Sequence, residues 1–115
     1  MQIKLTTTGR KSGEARTVTL YAWPDGDDLV VVGSRGGSKN DPAWAHNLRA
    51  NSAAVVHRGR ENVDVKAREV SGPERERLWS FVTEQFHYYA SYQRKTTRTI
   101  PVFVLEPAES GSPAS

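Results

Sequence analysis

Residues 16–33 read Arg16-Thr17-Val18-Thr19-Leu20-Tyr21-Ala22-Trp23-Pro24-Asp25-Gly26-Asp27-Asp28-Leu29-Val30-Val31-Val32-Gly33, and this stretch decides the fold. From Arg16 to Trp23, threonine alternates with valine, leucine and tyrosine, the pattern of a half-buried strand. Pro24-Asp25-Gly26-Asp27 is a turn with a mechanism, since proline presets φ and glycine permits positive φ. Leu29 to Gly33 is then continuously apolar, as in a strand buried on both faces or lining a barrel. A β-meander is the expected start.

Working outward, Ile3 to Thr8 reads as a short strand, and Gly9-Arg10-Lys11-Ser12-Gly13 as a turn carrying two adjacent cations. Downstream, Ser34 to Asn40 is a basic, glycine-rich loop. Asp41 is placed to cap a helix whose first residue is Pro42 and which runs to about Ala50. Ala53 to His57 and Val63 to Val70 read as two strands; the second alternates Val63, Val65 and Ala67 with Asp64, Lys66 and Arg68, so one face is wet. Ser71 opens a second helix with Pro73 and Glu74 in its first turn, and Leu78, Phe81, Val82, Gln85 and Phe86 form its inward stripe. This helix loosens near Tyr88 to Tyr92. Thr99 to Leu105 is the final strand, with Pro101 near its start. The expectation is one domain over residues 1–107, with a disordered Ser-, Gly-, Pro- and Ala-rich tail over 108–115. A mainly β, α+β fold follows: about six mostly antiparallel strands with two helices, forming a closed or split barrel.

The chain has 115 residues and no cysteine. Disulfides, thiolate catalysis and iron–sulfur clusters are therefore excluded. No apolar run approaches the roughly 18 residues that a membrane span needs, and the first residues read as a strand, not as a signal peptide. A cytoplasmic location is expected. The net charge of +3 and pI of about 9.4 suit an anionic ligand or a nucleic acid. The basic excess is too small to favour nucleic acid. His46, His57 and His87 lie too far apart for a local metal motif, so no metal is expected.

Four clusters carry candidate chemistry, and each has a plainer reading. Arg10, Lys11 and Arg16 surround a glycine turn and suit a polyanion, or they are an ordinary solvated hairpin end. Gly33 to Lys39 lets backbone N–H groups approach a flat ring or a phosphate; it is neither a P-loop nor a dinucleotide fingerprint. Trp44 and Asn47, taken alone, read as core packing and loop satisfaction. Phe86, Tyr88, Tyr89 and Tyr92 put four aromatics in one short segment, able to stack on a planar substrate or simply to pack.

Taken together these pieces resemble the deazaflavin-dependent nitroreductase family, the F-420-dependent quinone and nitro reductases of actinobacteria. The resemblance runs from about Leu5 to Pro107. It is carried by L-T-T-T-G-R-K-S-G at Leu5 to Gly13, Arg16 with Leu20-Tyr21, G-S-R-G-G at Gly33 to Gly37, N-D-P-A-W-A-H-N-L-R-A-N at Asn40 to Asn51, and Y-Q-x-x-T-x-R-T-I-P-V at Tyr92 to Val102.

The resemblance implies a split β-barrel like that of the FMN-binding flavin reductases, and a reductase that passes a hydride from reduced coenzyme F-420 to a quinone, nitroaromatic or activated enone. FMN or FAD in the same fold, and a non-catalytic F-420 carrier, stand as alternatives. It implies that Arg10, Lys11, Ser12 and Arg16 hold the anionic phosphate and oligoglutamate tail. The strand Thr17, Val18, Thr19, Leu20, Tyr21 would pass along the cofactor. Val32, Gly33, Ser34, Arg35, Ala43, Trp44 and Asn47 would cradle it, with Tyr89 packing on the ring. Tyr21, Ser34, Phe86, Tyr89 and Tyr92 would line the substrate side, with Ser34, Tyr92 and Tyr21 in the catalytic roles. A homodimer is expected because split barrels commonly pair, and peripheral membrane contact is a further expectation. The sequence departs from the family pattern at Arg35, where lysine is usual, at Phe86, where some members have tyrosine, and at Ser52, which replaces a common proline. It begins at the first strand without the N-terminal helix of some relatives, so the expectation is either more open access to the site or a trimmed N-terminal segment.

Overall fold

A computed structural model describes residues 1–108. Its elements, in chain order, are β1 (Gln2–Thr8), β2 (Ala15–Tyr21), β3 (Trp23–Asp25), β4 (Asp28–Val32), α1 (Ala43–Ala50), β5 (Ala53–Arg58), β6 (Glu61–Glu69), α2 (Gly72–Gln85), α3 (Tyr88–Arg94) and β7 (Val102–Pro107), with a single 3-10 turn at Arg35–Gly37. The strands form one seven-stranded sheet in the order β2-β1-β5-β6-β7-β4-β3, antiparallel at every pairing.

The sheet curls until β2, one edge, comes back against β4. This is a split barrel of α+β class. Inside the curl lies one core, with Leu5, Val31, Val56, Phe103 and Leu105 from the strands and Trp44, Ala45 and Leu48 from α1. A second core lies outside β4 and β7, where Val30, Val32, Val102 and Val104 meet Leu78, Val82 and Tyr89 of the helices. Strands β4 and β7 are thus buried on both faces, which is why Leu29 to Val32 is uninterrupted by polar residues. Strand β1 alternates instead: Ile3, Leu5 and Thr7 face inward, while Gln2 and Lys4 are exposed.

The structure refines several sequence expectations. There are seven strands, because the long second strand breaks at buried Ala22 and Trp23–Asp25 pairs separately with Asp28–Val30. The loosening after α2 is a helix of its own, α3. Asp41 does not cap α1; Pro42 holds the cap position with no side-chain bond, because both Asp41 oxygens are taken by Arg98 and Arg49. Ser71 precedes α2 without a side-chain cap bond. Ala108, the first residue of the expected tail, still donates its N–H to the Asp64 carbonyl at 2.9 Å; the rest of that segment lies outside the described residues.

Candidate functional site

The β1–β2 turn is held from three directions. Gly9 donates to the Glu14 carbonyl and Gly13 to the Gly9 carbonyl, each at 2.8 Å, and Glu14 N–H donates to Ser12 Oγ at 3.1 Å. A Cβ on Gly9 would fall 2.6 Å from Ser12 Oγ and 3.3 Å from the Glu14 carbonyl oxygen, so a side chain there would displace Ser12 from its bond to Glu14 N–H. Across the barrel, Arg10 N–H donates to Asn47 Oδ1 at 3.0 Å, and Asn47 Nδ2 donates to Thr7 Oγ1 at 3.0 Å. Asn47 is buried, and its partly buried bond to Arg10 together with its buried bond to Thr7 fastens the turn to α1.

The cations on this turn are left uncommitted. Among the described residues, the side chains of Arg10, Lys11 and Arg35 make no ion pair. Arg16 meets Glu14 at 3.3 Å with both side chains more than half exposed, a contact of little energetic weight. A groove of about 740 Å³ runs between them. Arg10, Lys11, Ser12, Arg16 and Arg35 give it polar, cationic walls, and Val18, Pro42, Ala43 and Trp44 an apolar floor. Among the described residues no carboxylate lines it. Several cations facing one cavity, with Glu14 at the exposed side of Arg16 as the one acidic partner among the described residues, make a favourable local field for anions. Trp44 is fixed as floor by edge contact with buried Phe103, ring centroids 5.7 Å apart.

The loop after β4 turns sharply. Arg35, Gly36 and Gly37 have φ of 45°, 62° and 85° in succession. For Arg35, which has a Cβ, this conformation costs on the order of 1–3 kcal/mol. At Gly37 a Cβ would meet the Tyr92 carbonyl oxygen at 2.8 Å, so the loop lies directly on α3. Between loop and helix is a second cavity of about 310 Å³. Leu20 and Tyr21 come to it from β2, Val32, Ser34, Arg35 and Gly36 from β4 and its loop, and Phe86, Tyr89 and Tyr92 from the helical side. Arg35, Pro42 and Trp44 line both cavities.

The aromatic side is built around Tyr89. Phe86 meets it edge-on at 4.9 Å between centroids and lies 6.3 Å from Tyr92. Trp23 Nε1 donates to the Tyr89 hydroxyl at 3.0 Å. Burial holds the Tyr89 phenol above its ordinary pKa, so it stays neutral and keeps its proton. Tyr21 stacks on Trp23 with an interplanar angle of 16° and is 57% exposed, which puts it at the mouth. The hydroxyls of Ser34, Tyr21 and Tyr92 make no hydrogen bond among the described residues.

The residues singled out in the sequence thus fall into two adjoining cavities. Arg10, Lys11, Ser12, Arg16, Thr17, Val18, Ala43 and Asn47 line the cationic groove. Leu20, Tyr21, Val32, Ser34, Phe86, Tyr89 and Tyr92 line the aromatic pocket. Two stand apart. Thr19 pairs with exposed Lys4 across β1 and β2 and lies on the outer face of β2, as does the Thr17 side chain, whose hydroxyl meets Thr6 Oγ1 at 2.7 Å, while Val18 and Leu20 face inward. Gly33 is enclosed by Pro101 and Pro42, and its N–H is already given to the Pro101 carbonyl at 2.9 Å. Sequence reasoning missed Pro42, read only as a helix start although it lies inside the Asn40–Asn51 motif, and Trp23, read only as a strand end although it follows the Leu20-Tyr21 pair closely. The three histidines stay apart. His57 Nε2 bonds Thr6 Oγ1 and its Nδ1 bonds Asn62 Oδ1, a polar chain across the sheet. Among the described residues no group of histidines and carboxylates is arranged to hold a metal ion, and no helix is long and apolar enough to cross a membrane.

A split barrel with a cationic groove leading to an aromatic pocket defines a class of small cofactor-binding proteins. Solved structures agree on the fold. HutZ, the heme storage protein of Vibrio cholerae, is only 13% identical but superposes with a TM-score of 0.68 over 93% of this chain and 81% of that one, which speaks for the fold alone. An F-420-H2 dependent reductase (FDR-A) superposes with a TM-score of 0.82 at 40% identity, over 91% of this chain and 93% of that one. An F-420H(2)-dependent quinone reductase of Mycobacterium tuberculosis is 40% identical over 104 residues, covering 88% of this chain and 70% of the relative. The pattern of the F-420H(2)-dependent quinone reductase family matches residues 1–107. The chain belongs to that family, and it is an oxidoreductase whose cofactor is coenzyme F-420.

Proposed function

We propose that this chain binds reduced F-420 along the cationic groove and reduces a planar, electron-poor acceptor in the aromatic pocket, a quinone first of all and a nitroaromatic or activated enone by the same chemistry. The observation that carries this reading is the continuity of the two cavities through Arg35, Pro42 and Trp44. One ligand with an anionic tail and a flat head can enter both.

The residues present fit such a group. Arg10, Lys11 and Arg16 are uncommitted or weakly paired cations on a turn that is itself rigidly held, so they meet phosphate and carboxylates at little reorganisation cost. Ser12 Oγ accepts from Glu14 N–H and keeps its own proton for an anion. The apolar floor of Val18, Ala43 and Trp44 offers a face for a flat ring. When bound, reduced F-420 supplies a hydride, and the protein contributes binding, orientation and electrostatics. Quinone reduction takes one hydride and one proton. Ser34 and Tyr92 hydroxyls, without a hydrogen bond among the described residues, donate to the oxygen that gains charge. Tyr21 at the mouth delivers the proton from solvent. Phe86 and Tyr89 hold the acceptor flat and exclude water from its other face.

A solved structure 40% identical to this chain, with a TM-score of 0.83 over 91% of this chain and 79% of that one, is described as a domain-swapped dimer, which supports a homodimer here. A cytoplasmic site with peripheral membrane contact, where lipid-soluble quinones reside, fits the exposed rings of Tyr21 and Tyr88 beside the pocket. The direct test is to bind reduced F-420 and add menadione while following deazaflavin absorbance. Reoxidation that depends on both protein and menadione supports the reading. Tight binding without turnover marks a carrier, and absence of binding overturns it.

A further inference from the structure

We propose that Arg98 is a positioning residue that sets the geometry of the acceptor pocket. It does so by pinning the Ser34–Asp41 loop against the segment that carries Tyr89 and Tyr92. The inference rests on the acceptor reading given above and names a residue outside both cavities.

Each guanidinium nitrogen of Arg98 bonds a different point of the loop. Nε donates to the Ser38 carbonyl at 2.7 Å, Nη2 to the Ser34 carbonyl at 2.8 Å and Nη1 to Asp41 Oδ1 at 2.7 Å. The side chain is 13% exposed and that of Asp41 15%, so these bonds are shielded from water. Arg98 is itself held in place. Gln93, on α3, donates to the Arg98 carbonyl at 2.7 Å and accepts from Ile100 N–H at 2.9 Å. One residue therefore ties the helix bearing Tyr89 and Tyr92 to the loop bearing Ser34 and Arg35.

The loop needs such a tie. Its three successive positive φ values, one of them at a residue with a Cβ, are not a conformation that free chain prefers. The Arg98 grip spans both sides of that turn, at Ser34 and at Ser38. Asp41 extends the tie, since its Oδ2 accepts from Arg49 Nη1 at 2.8 Å, and Arg49 makes a two-bond fork with Glu69 on β6. A planar fork with separate donors is what arginine supplies and lysine cannot. Because Ser34 is the donor closest in sequence to the turn, a small loop shift moves it off the acceptor oxygen, and displacement on the scale of 1 Å is costly for orientation.

The test uses Arg98→Ala and Arg98→Lys in the full chain, with Asp41→Asn as a milder variant should the first two fold poorly. The parent is first assayed with reduced F-420 and menadione, which separates failure of the functional reading from failure of this one. In folded Arg98→Ala, kcat/KM for menadione is expected to fall about 10- to 100-fold, while F-420, which meets this loop only at Arg35 and is held mainly by the β1–β2 turn on the proposed reading, loses affinity by a clearly smaller factor. Millimolar guanidinium should restore part of the activity, and ammonium should not. Asp41→Asn should show a smaller loss with the same split. Independently of any cofactor, hydrogen exchange at the Gly37 and Ser38 amides should quicken in Arg98→Ala, with the β1 and β5 amides unchanged. Parent-like kcat/KM in a folded variant, an equal loss in F-420 affinity, or unchanged exchange at Gly37 and Ser38 would each overturn the proposal.

Discussion

Consider replacing Lys11 and Arg16 together by glutamine. Both lie at the end of the groove where, on the proposed reading, the anionic tail is held. Bonds between charged partners contribute about 1.5–3 kcal/mol each. Here the lower end applies, because the Arg16 side chain is 59% exposed and exchanges a weak contact with Glu14 for the ligand. Two such bonds amount to about 3 kcal/mol, or roughly two decades in dissociation constant at about 1.4 kcal/mol per decade. The fold should be unaffected, since exposed substitutions of this kind move stability by only about 0.5 kcal/mol. The assay is a fluorescence titration of oxidised F-420 at low and high salt. The parent should weaken as salt shortens the screening length from about 10 Å at 0.1 M to about 3 Å at 1 M, and the double variant should weaken much less. Lys4→Gln with Lys66→Gln is the control. Those exposed lysines belong to β1 and β6 and change net charge equally without touching the groove. Binding by the double variant within threefold of the parent, or an equal loss in the control, refutes local recognition of the tail.

Two further outcomes concern stability. Asp28 is held above its ordinary pKa of 3.8, first by burial and then by the charges of Glu106 and Asp25. A raised folded-state pKa means that ionisation costs stability once pH exceeds it, and that the cost is absent below 3.8. Asp28→Asn should therefore raise the melting temperature at pH 7, and the gain should vanish as pH falls through 4; a constant gain across that range would contradict the assignment. Gly13→Ala and Gly37→Ala should differ. Gly13, at φ of 74°, has nothing within 4 Å of an added Cβ, so alanine costs about 1 kcal/mol. Gly37 adds contact with the Tyr92 carbonyl at 2.8 Å, an overpacking worth about 1–3 kcal/mol more. Equal melting temperatures for the two variants would count against the tight loop–α3 approach.

The hairpin was legible in Gly26, which has φ of 65° between Trp23–Asp25 and Asp28–Val30; Pro24, read as part of the turn, instead lies in β3 opposite Leu29, because the turn needs only Gly26 and Asp27. The two-sided burial of Leu29 to Val32 was legible in its unbroken apolar run. Helix α3 was not. It has no capping side chain, and its aromatics are spaced by what they touch across the fold rather than by a stripe. The role of Asp41 was hidden because a helix cap and an ion-pair partner call for the same residue, and only the position of Arg98, far along the chain, decides between them. Within the candidate site, residue type pointed to the cationic turn. That Thr19 faces outward while its neighbours face the groove side depends on the register of β2 on β1, which no single-strand reading supplies.

The place of β7 in the sheet has a consequence for how the chain reaches this form. Strands β1–β2, β3–β4 and β5–β6 are pairs of sequence neighbours and can form early. Yet β6 and β4 are joined only through β7, the last strand described. That strand also supplies Phe103 and Leu105 to the inner core and Val102 and Val104 to the outer one. Until it docks, the chain holds two sheet fragments with exposed apolar faces, and neither core is complete. Pairings of this sequence separation are slow to close. A nascent chain that has not yet released Val102 to Leu105 is therefore the species on which chaperones and aggregation compete.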